Sequence, residues 1–133
     1  MIDQPTFFQD LKVVVVDDSD FSRKIIIKIL KDAGIEVIGE ANHAETALTV
    51  IKDKKPNVVI TDIVMPDISG IELTTEINRN FNNIYVIVIS SLSQEHVIIE
   101  AIGAGASDFL IKPVNKQQLI DSLEKIGSLL KED

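Results

Sequence analysis

The 133-residue sequence predicts an α/β fold: a doubly wound parallel sheet with helices on both faces. Three observations carry this. Short β-branched apolar runs at 13–16, 58–61, 85–89 and 109–111 lack the in-out alternation of a half-solvated strand. Such continuous runs mark strands buried on both faces of a parallel sheet. Helical segments separate them, as parallel crossovers require. Finally, the runs end in Asp17-Asp18, Asp62, Ser90 and Lys112-Pro113. In open α/β sheets the ligand site lies outside the carboxyl ends of the strands. If these strands are neighbours, three carboxylates, a hydroxyl and an ammonium converge.

Each element has a local cause. Ser19-Asp20 caps a helix predicted over about 21–33, which Gly34 stops. Residues 36–41 form a second, more polar strand suited to an edge. Asn42 followed by Glu45 has the spacing of a variant capping box, for a helix ending near Lys54-Lys55 with Pro56 beyond. The loop 62–70 holds the turn formers Pro66, Asp67, Ser69 and Gly70. A third helix covers about 71–80, and Asn82-Asn83 turn the chain into the fourth strand. Ser93 is expected to cap a fourth helix to about Ala104, with Gly103 and Gly105 at its exit. Asn115 is expected to cap the last, to about Leu130. Residues 1–10 read as a short N-terminal extension and 11–130 as one domain. With no repeat, low-complexity tract or Pro/Ser-rich linker, the chain reads as complete.

Composition narrows the function. A chain of 133 residues buries roughly two thirds of its unfolded surface without covalent staples. The absence of cysteine rules out disulfides and thiolate metal sites and fits a reducing cytosol. The N-terminus lacks the basic-then-apolar pattern of a secretory signal. No apolar run approaches the roughly 20 residues that span a bilayer. A formal charge of −8 argues against nucleic acid and suits basic partners or a cation.

The acidic residues have two readings. Asp near a helix start is favoured by capping and by the helix dipole, and one Asp fits that well. Two adjacent Asp facing a third carboxylate repel one another and need a cation. Oxygen-only ligands select a hard ion, Mg²⁺ or Mn²⁺. Asp62 can attack a phosphoryl group to give an aspartyl phosphate. That chemistry is helped by a metal and by a fixed cation, which Lys112 can supply. Lys112 could equally leave the sheet edge for solvent. Pro113 favours the site reading, since X-Pro bonds are cis in roughly one case in twenty and can fix a sharp turn. Ser90 can donate one hydrogen bond to a phosphoryl oxygen, or it can serve as a helix cap in competition with Ser91 and Ser93.

Taken in order, Val15-Val16-Asp17-Asp18-Ser19 with Arg23, Asp62-x-x-Met65-Pro66-x-x-x-Gly70, Ser90, and Gly105-Ala106-x-Asp108-Phe109-Leu110-x-Lys112-Pro113 resemble the receiver domain of bacterial two-component response regulators. The resemblance covers essentially the whole chain, and stand-alone chemotaxis-type regulators are the most similar members. It implies a CheY-like, flavodoxin-like sheet of order 2-1-3-4-5, an order the doubly wound example of that family supplies. It implies that Asp62 is the phosphoacceptor. Asp18, Asp17 (largely through water), Asp62 and the backbone carbonyl of Val64 would hold Mg²⁺. Lys112 would pair with the phosphoryl group and Ser90 would move to bond it. Phe109 would be the switch aromatic, although a static core position reads equally well. The phosphodonor would be a cognate sensor histidine kinase or a small acyl phosphate, in the cytoplasm.

Two positions depart from the family pattern. The hydroxyl residue is usually Thr, and many members carry Tyr where Phe109 stands. Val64 and Leu92, two residues past the acceptor and the hydroxyl, are polar in fast-dephosphorylating members. Here both are apolar, which implies slow self-dephosphorylation.

Helix four, with Val97, Ile98, Ile99 and Ile102, spreads its apolar residues over a wide arc at about 100° per residue. One of Val97, Ile98 or Ile99 is therefore expected at the surface. Ile98 is expected to be that residue, forming with Phe109 a partner surface on helix four, strand five and helix five. His43 and His96 read as solvent-facing helix residues. The chain would act as a monomer or a phosphorylation-dependent dimer, read by a separate downstream protein, with no nucleic acid or membrane involved. Alternatives are a receiver excised from a larger methylesterase or DNA-binding regulator, a Mg²⁺-dependent aspartate-nucleophile phosphatase, and a flavodoxin-like electron carrier. The phosphatase would want a second Asp where Val64 stands, and the flavodoxin a Ser/Thr/Gly-rich loop where Asp17-Asp18 stand.

Overall fold

A computed structural model of the chain describes residues 6–132. A 3-10 turn at Thr6–Asp10 leads into β1 (Lys12–Val16), α1 (Asp20–Asp32), β2 (Glu36–Ala41), α2 (Ala44–Lys54) and β3 (Val58–Thr61). The chain continues through α3 (Gly70–Asn80), β4 (Tyr85–Ser90), α4 (Glu95–Gly103), β5 (Asp108–Ile111) and α5 (Lys116–Glu132). The five strands form one sheet in the order β2-β1-β3-β4-β5. All four pairings are parallel.

The apolar runs behave as their lack of alternation requires, because both sheet faces are covered. Successive strand side chains point to opposite faces. Val13, Val15, Ile60, Ile87 and Ile89 pack with Ile26 and Leu30 of α1 and with Leu119 and Leu123 of α5. Val14, Val16, Val59, Val86 and Val88 pack on the other face with Ala47 and Ile51 of α2, Leu73 and Ile77 of α3, and Ala101 of α4. Each fully buried aliphatic side chain of this size stabilises the fold by about 1.5–3 kcal/mol relative to exposure.

Within the stretch read as an extension, residues 6–10 form the 3-10 turn, which seats Phe8 in the core beneath α5. Asn57 fastens this segment by donating to the Asp10 carbonyl at 2.7 Å and accepting from the Lys12 amide at 2.8 Å.

Helix boundaries match the sequence, and two of the expected caps, Asn42 and Ser93, do not form. Ser19, Ser69 and Asn115 accept from the amides three residues on, at 3.2, 3.1 and 3.0 Å. Gly34 stops α1 at φ +80, where a side chain would be strained. Asn42 does not cap α2. Its N-cap is His43, which makes no side-chain cap bond. The helix is instead capped from a distance by Asp67, whose two carboxylate oxygens accept from the Ala44 and Glu45 amides at 3.0 and 2.8 Å. Nor does Ser93 cap α4, which starts from Gln94 without a side-chain cap bond.

Candidate functional site

Register builds the site. Val16 of β1 lies beside Thr61 of β3, so the residues that follow each strand emerge together. The Asp17 amide donates to the Ala41 carbonyl at 3.1 Å and the Asp62 amide to the Val16 carbonyl at 3.0 Å. On the other side Ser90 of β4 pairs with Ile111 of β5. The Lys112 amide donates to the Ser90 carbonyl at 2.9 Å, and the Lys112-Pro113 peptide bond is cis. The carboxyl ends of β1, β3, β4 and β5 thus contribute their polar residues to one edge of the sheet.

The Lys112 ammonium spans two of them. Its Nζ lies 2.9 Å from Asp17 Oδ2 and 3.0 Å from Asp62 Oδ2. Both carboxylates are shielded, the Asp17 side chain 1% exposed and that of Asp62 11%. Their other oxygens are bound too: Asp17 Oδ1 accepts from the Ser19 amide at 2.9 Å and Asp62 Oδ1 from the Ile63 amide at 2.7 Å. Burial alone would lower the affinity of Lys112 for its proton. The hydrogen bonds to Asp17 and Asp62, with their charges, outweigh burial and raise it above its ordinary value.

Carboxylate oxygens of Asp17, Asp18 and Asp62 all lie within 4.8 Å of one another. This all-oxygen set fits a hard divalent cation such as Mg²⁺, and in a chain without cysteine it does not suit zinc. The exposed Asp18 side chain forms the open side of the cluster. Gly70 closes the loop after Asp62, its amide donating to the Ile63 carbonyl at 2.8 Å. A Cβ at Gly70 would overlap the backbone carbonyl oxygen of Asp62, so only glycine lets α3 start this close to Asp62.

Ser90 is fully buried at the end of β4, and its Oγ accepts from the Leu92 amide at 3.0 Å. It is therefore not the cap of α4. Val64, two residues past Asp62, is 57% exposed, and Leu92 is half-buried. Arg23 has more structural work than the motif suggested. Its guanidinium donates to the Asp17 carbonyl at 2.7 Å, to Glu40 at 2.7 Å and to Asp20 at 2.6 Å. The bond to Glu40, more than the opposing effect of burial, raises its proton affinity further. A cation four residues past Ser19 was the only signal in the sequence.

A family model described as the response regulator receiver domain matches residues 13–124. The chain belongs to this family. Chemotaxis protein CheY of Thermotoga maritima is 39% identical over 116 residues, covering 87% of this chain and 97% of that protein. A protein-glutamate methylesterase/protein-glutamine glutaminase of Nocardioides is 36% identical over 123 residues. These span 90% of this chain but 34% of that protein. Among solved structures, the CheX–CheY–BeF3–Mg²⁺ complex of Borrelia burgdorferi superposes with TM-score 0.83 at 29% identity, covering 87% of this chain and 88% of that one.

Two residues of this receiver domain sit differently from the sequence reading. On α4 the exposed aliphatics are Ile99 at 61% and Ile102 at 48%, whereas Ile98 is half-buried. The apolar arc is as wide as the sequence implies, but its outward edge lies one residue on. His43 is half-buried at the N-cap of α2, where its ring meets Asn42 Oδ1 at 2.6 Å and Thr46 Oγ1 at 2.8 Å, while His96 is exposed. Phe109 is half-buried on β5, against the core of the α2–α4 face. No helix among the described residues is long and apolar enough to cross a membrane.

Proposed function

We propose that the chain is a phosphorylation-activated switch of a two-component system, in which Asp62 accepts a phosphoryl group from a cognate sensor histidine kinase. The observation that carries this reading is the Lys112 ammonium held between Asp17 and Asp62 at 2.9 and 3.0 Å. An Asp62 oxygen attacks phosphorus as the phosphohistidine P–N bond breaks, and the leaving imidazole takes up a proton. The products are an acyl phosphate on Asp62 and a free histidine on the donor. Lys112 can leave a carboxylate and pair with a phosphoryl oxygen, and the Ser90 hydroxyl can turn to donate to another.

Asp17, Asp18, Asp62 and the Val64 carbonyl would hold Mg²⁺ or Mn²⁺. Bound there, the ion supplies charge neutralisation for the phosphoryl oxygens. The Borrelia CheY solved with BeF3 and Mg²⁺ supports the assignment.

An apolar groove of about 310 Å³ beside Lys112, lined by Phe21, Ile25, Pro113 and Val114, fits the approach of the donor. Output would pass through the face of α4, β5 and α5, with Ser90 and Phe109 as the switch pair and Ile99 and Ile102 as exposed contacts. Hydrolysis of the chain's own acyl phosphate is the only turnover in this reading.

Relatives named CheY that this chain spans at 97% of their length favour a stand-alone chemotaxis-type regulator. The methylesterase match favours a second reading, the receiver domain of a larger regulator. A reading frame continuing into a catalytic domain would decide for the second. The central test is incubation with Mg²⁺ and acetyl phosphate followed by intact mass. One added phosphoryl group on the wild type and none on Asp62→Asn is the expected result. No adduct from any donor overturns it, and turnover of a generic phosphomonoester would point to the phosphatase class.

A further inference from the structure

The three carboxylates of the cation cluster are not held equally. Asp17 is fixed by Lys112 and the Ser19 amide, and Asp62 by Lys112 and the Ile63 amide. The Asp18 carboxylate, exposed at the cluster's open side, accepts no hydrogen bond from the described residues. Its place is therefore set by the backbone that carries it, and above all by the peptide unit joining Asp17 to Asp18.

Arg23 holds that unit. One terminal nitrogen donates to the Asp17 carbonyl oxygen at 2.7 Å, the acceptor end of the Asp17–Asp18 peptide plane. The remaining donors anchor the guanidinium on α1 itself, through Asp20, and on β2, through Glu40. The Arg23 side chain is 12% exposed, so the fork is packed in place. A planar guanidinium can meet three acceptors at once, whereas a lysine ammonium on a flexible stem cannot hold the same fork. Planarity of the peptide then transmits the constraint to the Asp18 amide and Cα.

We infer that Arg23 is the positioning residue that fixes Asp18 in the cation cluster, acting through the Asp17 carbonyl and anchored by Glu40. The inference rests on the cation-site reading above. Groups that orient metal ligands typically contribute 10–100-fold to metal affinity. Charge and geometry make opposite predictions here. A cation near the cluster repels Mg²⁺, so if charge alone mattered, losing it would tighten binding and Arg23→Lys would change nothing. If geometry matters, Arg23→Lys keeps the charge and weakens binding.

Amide-shift titration with Mg²⁺ measures the dissociation constant into the millimolar range for wild type, Arg23→Lys, Asp18→Asn and the double variant. The expected result is roughly tenfold weaker binding for Arg23→Lys. In the Asp18→Asn background Arg23→Lys should produce no further loss, since the carboxylate it positions is gone. Glu40→Gln, which releases one anchor and leaves Arg23 in place, should weaken binding by a smaller factor, and it serves as the test if Arg23→Lys does not fold. Equal affinity of Arg23→Lys and wild type would overturn the inference, as would fully additive losses in the double variant. A wild type that does not bind Mg²⁺ sinks the cation site instead.

Discussion

Replacing Lys112 by Met leaves the stem and removes the charge that joins β5 to β1 and β3. Taking one partner from a buried ion pair costs about 3–5 kcal/mol. The Lys112 side chain is 20% exposed, so water reaches it and the low end applies, about 3 kcal/mol. An independent figure comes from the carboxylates left behind, whose oxygens lie within 4.8 Å. At an effective dielectric near 20 one such like-charge pair costs about 3.5 kcal/mol. For a chain of this size that loss lowers the melting temperature by about 9 °C, at about 3 °C per kcal/mol. Mg²⁺ should then rescue the variant, because a divalent ion at a hundredfold excess over its dissociation constant contributes about 2.7 kcal/mol. Lys112→Met, freed of a competing ammonium, should also bind the ion more tightly than wild type. The assay is thermal unfolding followed by circular dichroism, first in EDTA and then in Mg²⁺. The reasoning fails if Lys112→Met melts within about 2 °C of wild type in EDTA. It also fails if Mg²⁺ raises the variant no more than the wild type.

Further outcomes follow from other contacts. Gly70→Ala forces a Cβ onto the Asp62 carbonyl and should cost about 2 kcal/mol, with slower phosphorylation by acetyl phosphate; an unchanged urea midpoint and rate would contradict the close approach. Against a small loss of solvation, the Ala44 and Glu45 amides, with those of Ile68 and Asp67 itself, hold the Asp67 carboxyl below its ordinary value. A depressed pKa gives stability that is present above about pH 3.8 and is lost as pH falls through the folded value. Urea unfolding should thus show Asp67→Ala weaker than wild type at pH 6, with the gap closing in acid. With Val64 two residues past Asp62 and Leu92 two past Ser90 both apolar, a phosphoryl group accepted on Asp62 should persist for minutes or longer in Mg²⁺. A phosphate-release half-life of seconds would refute that.

What could be read before the structure, and what could not, divides along contact range. The buried runs disclosed the strands, because burial on both faces leaves a local mark in 13–16 and 58–61. Strand ends disclosed Asp17, Asp18, Asp62, Ser90 and Lys112, because a parallel sheet gathers such ends whatever the details. Locally Asp67 reads as a turn former and Asn42 as the cap of α2, since capping patterns lie three residues apart. The actual cap comes from 22 and 23 residues further on. Arg23 was seen as a motif letter, while its partner Glu40 lies 17 residues along the chain. On α4 the arc of Ile98, Ile99 and Ile102 was legible. Which edge faces water depends on how the helix sits against Ala101's neighbours, and no local spacing states that.

The reach of Lys112 has a consequence for how the molecule comes into being. Its partners lie 95 and 50 residues earlier in the chain. Contacts so distant in sequence close late, since loop-closure entropy must be met before they form. During synthesis Asp62 and the acidic pair emerge first, and the cation that joins them, just past the last strand, arrives later. A nascent or half-folded chain therefore carries these carboxylates without their counter-charge. On the proposed function, the phosphoacceptor site is complete only once the sheet has closed.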